Sequence, residues 1–515
     1  MSIRFRPPRP WAVCSRNRAG TYAYCVLSEL PAGARFDSGS LPVDDDYGAI
    51  RREIWLATDA AFKTALEAIG HKRSALQNVN VTEPLADYTK APPVHSIEPV
   101  THIAFDKTEW SNRTVALSAI FVDYPQVLGS GVETEFINTT SYLMDSEGTA
   151  IRRPDNLMIV RVRAWGQAPD GMLVRAAAST EEFEPLKMPS DLDLRRETAA
   201  VASTVTALAA APRGEAFTGP MLFEPRAAAQ LFAAVLVPNL KLTRKPVAQP
   251  ERPVPWSPSE LEGRLGSTIM PEWMDAVNDP KQSEWQGNTL LGHYAIDDEG
   301  VAAQPVMIIE KGVLKGFLLT RTPVKKGLEV SNGAGRLPGS YGASAAGLGN
   351  LFIHASTTAP LADMKKKLIA LCQERQKPYG IVVREVDFPS SASREELERM
   401  FTAMQRSGGG TRPVPPPIRA YRVYPDGHEE LIRGVRFRGV STRSFRDVIA
   451  ASDESAVYNY LDDSAPFAMM GAGGYVNLST VVSPGILFDE MELEPVEEEE
   501  PRIPLVPPPP RTAQR

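Results

Sequence analysis

Apolar residues recur at helical spacing over one long segment near the start of the chain. They begin at Ile50 and Ile54 and continue to Leu76, with the 3.6-residue period that predicts an amphipathic helix. The acidic triplet Asp44–Asp46 precedes them and offers carboxylates that could cap the first turn. The pattern therefore predicts a helix from about Tyr47 to Gln77.

Further along the chain the apolar residues recur with a period of two residues instead of 3.6. Polar and apolar residues alternate over Asn156–Arg163 and again over Met172–Ala177, with Pro169-Asp170-Gly171 between them. Alternation around a Pro-Asp-Gly turn is typical of a β-hairpin. An alanine-rich segment, Asp191–Ala211, then returns to helical spacing and stops at Pro212.

A third helix is predicted after the short apolar run Gly219–Phe223. It starts at Glu224-Pro225, since proline is favoured at the first helical position, and we expect it to end at Pro238. The second half of the chain is dominated by strand patterns. The sequence predicts hairpins over Val306–Thr320 and Ile418–Val435, and helices over Leu361–Gln376 and Ser393–Arg406.

These patterns predict an α+β protein with an N-terminal α/β domain and a larger, β-rich C-terminal domain. The expected limits are a poorly defined segment at 1–40, the first domain at 41–218, the second at 219–493 with a proline-rich excursion at 244–259, and a tail at 494–515. The tail is acidic and rich in proline, a composition that favours disorder.

Composition narrows the classes of function. The chain of 515 residues has 56 basic and 63 acidic residues, a net charge of −7, so no basic excess predicts a nucleic-acid surface. Three cysteines are too few for a disulfide framework. No apolar run reaches the length of a membrane span or of a signal peptide, so we expect a cytoplasmic protein without a membrane segment.

Motifs for hydrolysis are absent from the sequence. The six histidines include no pair at helical spacing, and the segment from Glu67 to His71 has Leu66 where a metal-binding helix would need its first histidine. We interpret that segment as an ordinary helix end. No phosphate-binding loop or nucleophile motif occurs either.

One glycine-rich region, from Leu319 to Asn350, contains more polar residues than packing requires. Arg321, Ser331, Asn332 and Arg336 are its candidate peptide- or partner-binding residues, because glycines permit close backbone approach. The alternative is a structured connection between strands whose arginines lie on the surface.

Four segments in this order resemble the TldD/PmbA family, also called modulators of DNA gyrase. The segments are Asp297–Val301, Ile309–Leu318, Ser331–Arg336 and Val482–Phe488, and the resemblance extends from about residue 41 to residue 493. It implies the same two-domain order, with a metallopeptidase-type C-terminal domain.

The resemblance also implies where a zinc site would lie. TldD-type subunits carry a His-Glu-x-x-x-His motif on a helix after a short strand, whereas PmbA-type (TldE) subunits lack the motif and pair with a TldD-type subunit to degrade unfolded peptides. The corresponding positions here fall near Ala233, Ala234 and Pro238, and residues 227–239 contain no His, Glu, Asp or Cys. The last cysteine, Cys372, also precedes the Val482 motif, near which the family's cysteine ligand is expected.

The sequence therefore predicts a pseudoenzyme with no catalytic residue and no metal of its own. Its expected role is that of a TldE-like subunit whose TldD-type partner holds the zinc and whose substrates are unfolded peptides. Two alternatives stay open: a stand-alone peptide-binding scaffold, and a hydrolase with an unrecognised site at His293 beside Asp297, Asp298 and Glu299. Residues 1–36 do not resemble the strand-forming N-terminus of the family, so we expect either a diverged segment or a wrong start or reading frame there.

Overall fold

The computed structural model of the chain describes residues 46–77, 85–244, 258–338, 344–387, 414–462 and 477–496. The predicted helix Ser393–Arg406, the segment 1–40 and most of the excursion and the tail lie outside these ranges. The expected domain limits stay predictions.

Within the described ranges the chain is mixed α and β, as the sequence predicts, and strands dominate its second half. The helices are α1 (Tyr47–Gln77), α2 (Lys107–Ser118), α3 (Asp191–Ala210), α4 (Pro225–Leu231), a π-helical turn (Phe232–Leu236), α5 (Val237–Leu240) and α6 (Leu361–Glu374). The strands of the first half are β1 (His95–Ile97), β2 (Val127–Met144), β3 (Ala150–Gln167), β4 (Leu173–Glu182) and β5 (Phe217–Phe223). The next are β6 (Met274–Asn278), β7 (Glu284–Trp285), β8 (Asn288–Thr289), β9 (Val306–Glu310), β10 (Val313–Leu314), β11 (Gly335–Pro338), β12 (Ser344–Ala346) and β13 (Asn350–Ala355). The last are β14 (Gly380–Val386), β15 (Pro417–Val423), β16 (Glu429–Ile432), β17 (Val435–Arg438), β18 (Val448–Asp462) and β19 (Asn477–Pro495).

The first four strands form a small antiparallel sheet around β3. On one side β3 pairs with β2, and on the other with β4 and, in parallel, with the short β1. The hairpin predicted around Pro169-Asp170-Gly171 is confirmed, and its strands are longer than the alternation indicated. Alternation along β3 sends one set of side chains to α2 and α3, where Met158 and Val160 pack with Trp110 and Leu194.

The opposite face of the small sheet packs against the second half of the chain. Ile137, Leu157 and Ile159 form one buried cluster, and Leu461 and Leu478 pack against it. Those two leucines belong to β18 and β19. The small sheet is therefore enclosed between helices on one face and the large sheet on the other.

In the part described, eleven strands form the large sheet in the order β10-β9-β6-β13-β19-β5-β14-β15-β16, with β17 and β18 also paired to β19. Both hairpins predicted from the sequence are present, as β9–β10 and β15–β16. The segment that runs from α4 to α5 packs on one face of the sheet, with Phe232 in the main core. Helix α6 covers the other face through Met364, Leu368 and Cys372.

Helix α1 has the predicted limits. The carboxylate of Asp46 accepts the N–H of Ala49 at 2.6 Å and caps the first turn. Ile69 is buried, whereas Trp55 and Leu66 are 64% and 47% exposed. Helical periodicity thus predicts the helix correctly, although much of the apolar series lies at the surface.

The helix that starts at Pro225 does not end at Pro238 as predicted. It continues to Leu240 through the π-helical turn, in which the N–H of Val237 donates to the carbonyl of Phe232, five residues back. Proline lacks an N–H and its ring crowds the preceding turn, and a wider turn immediately before Pro238 changes the hydrogen-bond register there. The helix can therefore pass the proline.

Candidate functional site

The helical segment Pro225–Leu240 follows β5 directly and packs on one face of the large sheet. Ala233 is 3% exposed and belongs to the main core, Ala234 packs against that core, and Pro238 is exposed. Phe232 stacks on Phe445 with ring centroids 4.6 Å apart. Of the three positions that the resemblance aligns with a metal motif, Ala233 and Ala234 thus serve packing, and Pro238 lies at the surface.

The same segment carries two polar residues one helical turn apart, Arg226 and Gln230. Gln230 is 2% exposed, and its Oε1 accepts the N–H of Val386 at 2.9 Å. The guanidinium carbon of Arg226 lies 5.5 Å from the ring centroid of Tyr458. Because residues four apart share a helix face, Arg226, Gln230 and Ala234 form one face, and its polar half is turned toward Tyr458.

Burial raises the pKa of the Tyr458 phenol well above its usual value, although the charge of Arg226 and a hydrogen bond with Gln230 oppose the shift. The tyrosine is therefore neutral at physiological pH. Its neighbours on the large sheet include Glu385 of β14, whose pKa is also raised by burial against the opposing charge of Arg226.

Carboxylates of the small-sheet half approach the same helix. Glu181, near the end of β4, is 6% exposed, and the Ser179 hydroxyl donates a hydrogen bond to it. Burial raises the pKa of Glu181 to about 7, while Arg161 and Arg226 oppose the shift. Glu197 of α3 accepts a hydrogen bond from Thr180 at 2.7 Å and disfavours ionisation of Glu181.

We call this group the inter-sheet cluster. It comprises Glu181, Glu197, Arg226, Gln230, Glu385 and Tyr458, which come from α3, α4, β4, β14 and β18. Arg226 is exposed, whereas Glu181, Gln230 and Tyr458 are buried and make their contacts within the chain. The sequence analysis missed the cluster, although two polar residues spaced by four in an otherwise apolar helix were a signal for it.

Arg321, the first predicted peptide-binding residue, is 2% exposed and makes contacts within the chain. Its Nε donates to the carbonyl of Thr89 at 2.9 Å, and its Nη2 binds the carboxylate of Glu147 in the β2–β3 turn. Its guanidinium carbon lies 4.2 Å from the ring centroid of Tyr88. Arg321 thus connects the part of the chain that contains the small sheet with the part that contains the large sheet. Peptide binding by Arg321 stays a prediction.

The other three candidates lie in one loop and at the start of the strand that follows it. Asn332 accepts the N–H of Leu319 at 2.9 Å, and the Ser331 hydroxyl donates to the carbonyl of Leu319 at 3.2 Å. The guanidinium carbon of Arg336 lies 4.1 Å from the ring centroid of Tyr294. These contacts fix the loop, and a contact with a peptide or partner stays a prediction for all three.

The acidic turn of the alternative hydrolase site holds backbone groups together. Asp297 accepts three backbone N–H groups, those of Glu299 at 3.0 Å, Val301 at 2.8 Å and Gly335 at 2.9 Å. Burial raises the pKa of Asp297 to about 6, and hydrogen bonds from Val301 and Gly335 oppose the shift. A carboxylate with this many backbone donors is typical of a structural turn.

The three other residues of that sequence hypothesis have contacts of their own. The Glu299 carboxylate accepts the backbone N–H of Arg321 at 2.7 Å. Asp298 forms an ion pair with Arg153 of β3, and a ring nitrogen of His293 lies 3.0 Å from the carbonyl oxygen of Pro280. The acidic turn therefore connects the large-sheet half to the small sheet.

Comparison with known proteins identifies a domain family that part of the chain resembles. Residues 217–387 match the family model of the PmbA/TldA metallopeptidase C-terminal domain. The matched range begins with β5 and includes α4 and the acidic turn. Over this range the chain is similar to the C-terminal domain of the PmbA/TldA metallopeptidases.

Relatives outside the family model agree with the assignment over limited lengths. A protein named metalloprotease from Archaeoglobus fulgidus is 39% identical over 66 residues, which are 13% of this chain and 14% of that protein. This short match covers about one seventh of the relative, so the activity of the whole relative does not carry over.

One solved structure shares the fold over most of the chain. A structure described as a modulator of a DNA gyrase from Thermotoga maritima has a TM-score of 0.52 and 13% identity over 85% of this chain and 83% of its own. TldE from Thermococcus kodakarensis has a TM-score of 0.49 and 15% identity over 85% of each chain.

The metallopeptidase domain that residues 217–387 resemble implies a metal ion such as zinc, and the helical segment lies within this range. Ala233, Ala234 and Pro238 have no side-chain donor atom, and the cationic Arg226 lies on the same segment. Zinc is bound by thiolate, imidazole or carboxylate groups. Among the described residues no group of three or more His, Cys, Asp or Glu is arranged to hold a metal. These residues do not fit a zinc ion.

Two further findings bear on the sequence expectations. Cys372 is buried on α6, where burial raises the pKa of its thiol, so it is a packing residue between α6 and the large sheet. Within the described ranges no helix is long and apolar enough to cross a membrane.

Proposed function

We propose that this chain is the non-catalytic, TldE-like subunit of a zinc metallopeptidase complex that degrades or processes unfolded peptides in the cytoplasm. In this proposal the zinc ion and the catalytic residues belong to a TldD-type subunit. This chain contributes walls and binding groups to the peptide path.

One observation carries the proposal: the helix that follows β5 has alanine and proline at the positions assigned to the metal motif, and neither side chain has an atom that can bind zinc. A zinc peptidase needs a metal-bound water and a nearby carboxylate, and the segment supplies neither. On the polar face of this segment Gln230 is buried and bound to Val386 within the chain, so the exposed Arg226 is the group of this face that a peptide could contact.

The hydrolase alternative has less support. A general base must be able to reach the proton that it abstracts, whereas the Asp297 carboxylate accepts three backbone N–H groups. The stand-alone scaffold alternative differs from our proposal only in lacking a partner, so the experiment below decides between them.

The test is purification of the full chain alone and together with the partners that it captures in its own cells. We expect no stoichiometric zinc in the isolated chain, and peptidase activity with zinc in a complex whose second subunit carries a His-Glu-x-x-x-His motif. Metal analysis by mass spectrometry and cleavage of an unfolded peptide, with and without a chelator, provide the readouts. Stoichiometric zinc and chelator-sensitive peptidase activity in the isolated chain would refute the proposal, and absence of any such partner would favour the scaffold.

A further inference from the structure

Strand β2 is an edge strand of unusual length. Among the described residues it pairs with β3 alone, and it runs over 18 residues from Val127 to Met144. Strands are usually 3–10 residues long, and an open edge offers unpaired N–H and C=O groups to other chains.

The hydrogen-bond register identifies which residues of β2 point outward. At the β2–β3 turn the N–H of Asp145 donates to the carbonyl of Thr149, so Asp145 faces β3. The N–H of Ala150, which lies opposite Met144, donates away from β2 to the carbonyl of Val94. Residues of an antiparallel pair alternate between the two directions, so even-numbered residues of β2 direct their N–H and C=O groups to the open edge.

Five such residues follow one another along the middle of β2: Val132, Thr134, Phe136, Asn138 and Thr140. Within the described ranges none of the five makes a backbone hydrogen bond to a segment outside β2. The stretch Val132–Thr140 is about 27 Å long at ~3.4 Å per residue.

Proline, basic residues and a β-bulge, three of the devices that protect an edge, are missing from this stretch, and its charged residues are Glu133 and Glu135. Val132–Thr140 contains no proline, no lysine and no arginine, the residues that natural edge strands use to prevent pairing. The one register irregularity of the β2–β3 pair lies before it, between Val127 and Gly129. The edge is therefore able to accept another strand over nine residues.

Side chains of the odd-numbered residues determine which strand fits. Ile137 packs against Leu461 of the large sheet. The odd-numbered side chains of β2 therefore face the second half of the chain. Glu133 and Glu135 lie on the same face. Glu133 has Arg161 at 3.4 Å, whereas in the described part of the chain Glu135 forms no ion pair.

We propose that the open edge of β2 binds an extended, basic peptide segment by β-strand addition. The backbone groups of the five outward residues pair with the peptide backbone, and lysine or arginine side chains of the peptide lie opposite Glu135 and Glu133. The choice of a peptide substrate as the occupant rests on the proposed function. Directly opposite charges stabilise a strand pair, and like charges destabilise it.

An antiparallel nine-residue peptide, Thr-Val-Thr-Ile-Thr-Lys-Thr-Lys-Thr, places its isoleucine opposite Ile137 and its lysines opposite the two glutamates. The assay is fluorescence anisotropy of this labelled peptide with the full chain, and its control is the same peptide with both lysines replaced by glutamate. We expect the lysine peptide to bind at least about five-fold more tightly.

Two variants of Asn138 distinguish the contribution of its backbone N–H to peptide binding from that of its side chain. Asn138→Pro removes one outward N–H without removing a β2–β3 hydrogen bond, and we expect it to weaken binding about ten-fold or more. Asn138→Ala keeps the backbone and should bind within about two-fold of the wild type. Glu135→Lys should reverse the preference between the two peptides, which tests the site even if the proline variant fails to fold.

Equal binding of both peptides by the wild type, or no effect of Asn138→Pro and Glu135→Lys, would overturn the inference. So would a chain that self-associates through β2, seen as a dimer in sedimentation that Asn138→Pro dissociates. These measurements use the isolated chain, so their outcome is independent of the proposed function. Peptide binding at β2 can be absent although the zinc-containing complex is found, and it can be present although no catalytic partner exists.

Discussion

Replacement of Glu181 by glutamine should stabilise the protein at alkaline pH and have little effect at acid pH. Glu181 is 6% exposed within the inter-sheet cluster. Its folded-state pKa is about 7 instead of the usual 4.5, because burial disfavours the carboxylate more than Arg161 and Arg226 favour it. The folded protein therefore holds the proton more tightly than the unfolded chain does.

The sign and size of the effect on the free energy of unfolding follow from the linkage between proton binding and folding. A raised pKa contributes stability that is fully present below about pH 4.5 and is lost as the pH rises through about 7. At ~1.36 kcal/mol per pKa unit, the loss between those limits is about 3 kcal/mol. Glutamine stays neutral and can still accept the Ser179 hydrogen bond, so Glu181→Gln avoids most of that loss at pH 8.

Urea unfolding at pH 5 and pH 8, followed by tryptophan fluorescence, measures the effect. We expect the free energy of unfolding of Glu181→Gln to exceed that of the wild type by up to about 3 kcal/mol at pH 8 and by much less at pH 5. Glu133→Gln is the matched control, because Glu133 is half exposed; it should show no such dependence. An equal effect of Glu181→Gln at both pH values would refute the reasoning.

The remaining predictions concern the loops that join the two halves of the chain. Arg321→Ala should lower stability by roughly 3–5 kcal/mol because it leaves buried partners of the guanidinium uncompensated, whereas the exposed Arg436→Ala should cost less than about 1 kcal/mol; thermal unfolding compares them. Gly333→Ala should cost roughly 3 kcal/mol, because φ is 76° and a Cβ atom would lie 2.4 Å from the carbonyl oxygen of Ala302. Gly327→Ala, at φ 86° with open space around it, should cost about 1 kcal/mol, and equal losses at the two glycines would contradict the steric argument.

Local patterns predicted the elements of the fold well because they depend on neighbours in the sequence. The limits of α1 follow from helical periodicity and the Asp46 cap, and the β9–β10 and β15–β16 hairpins follow from glycine turns. The end of the helix after Pro225 was wrong, since a π-helical turn has no sequence signature of its own. Strand order around β19 could not be predicted, because it depends on pairing between distant segments.

The site was less predictable than the fold. The lack of metal donors near Ala233 was readable from residue types alone. The inter-sheet cluster was not, since Glu181 and Glu385 belong to different sheets and nothing local links them to Arg226. Arg321 shows the opposite limitation: its place in a glycine-rich loop suggested an exposed binding residue, whereas its partners lie in the small-sheet half.

The position of β19 has a consequence for how the chain is made. β19 is the last described strand, and it pairs with β5, β13, β17 and β18. Phe217 of β5, for example, pairs with Leu493 of β19, which is synthesised much later. During translation β5 and β13 therefore emerge from the ribosome long before the strand that joins them. Until then their apolar edges need protection from aggregation, so a nascent chain halted before residue 477 should depend on chaperones in a way that the complete chain does not.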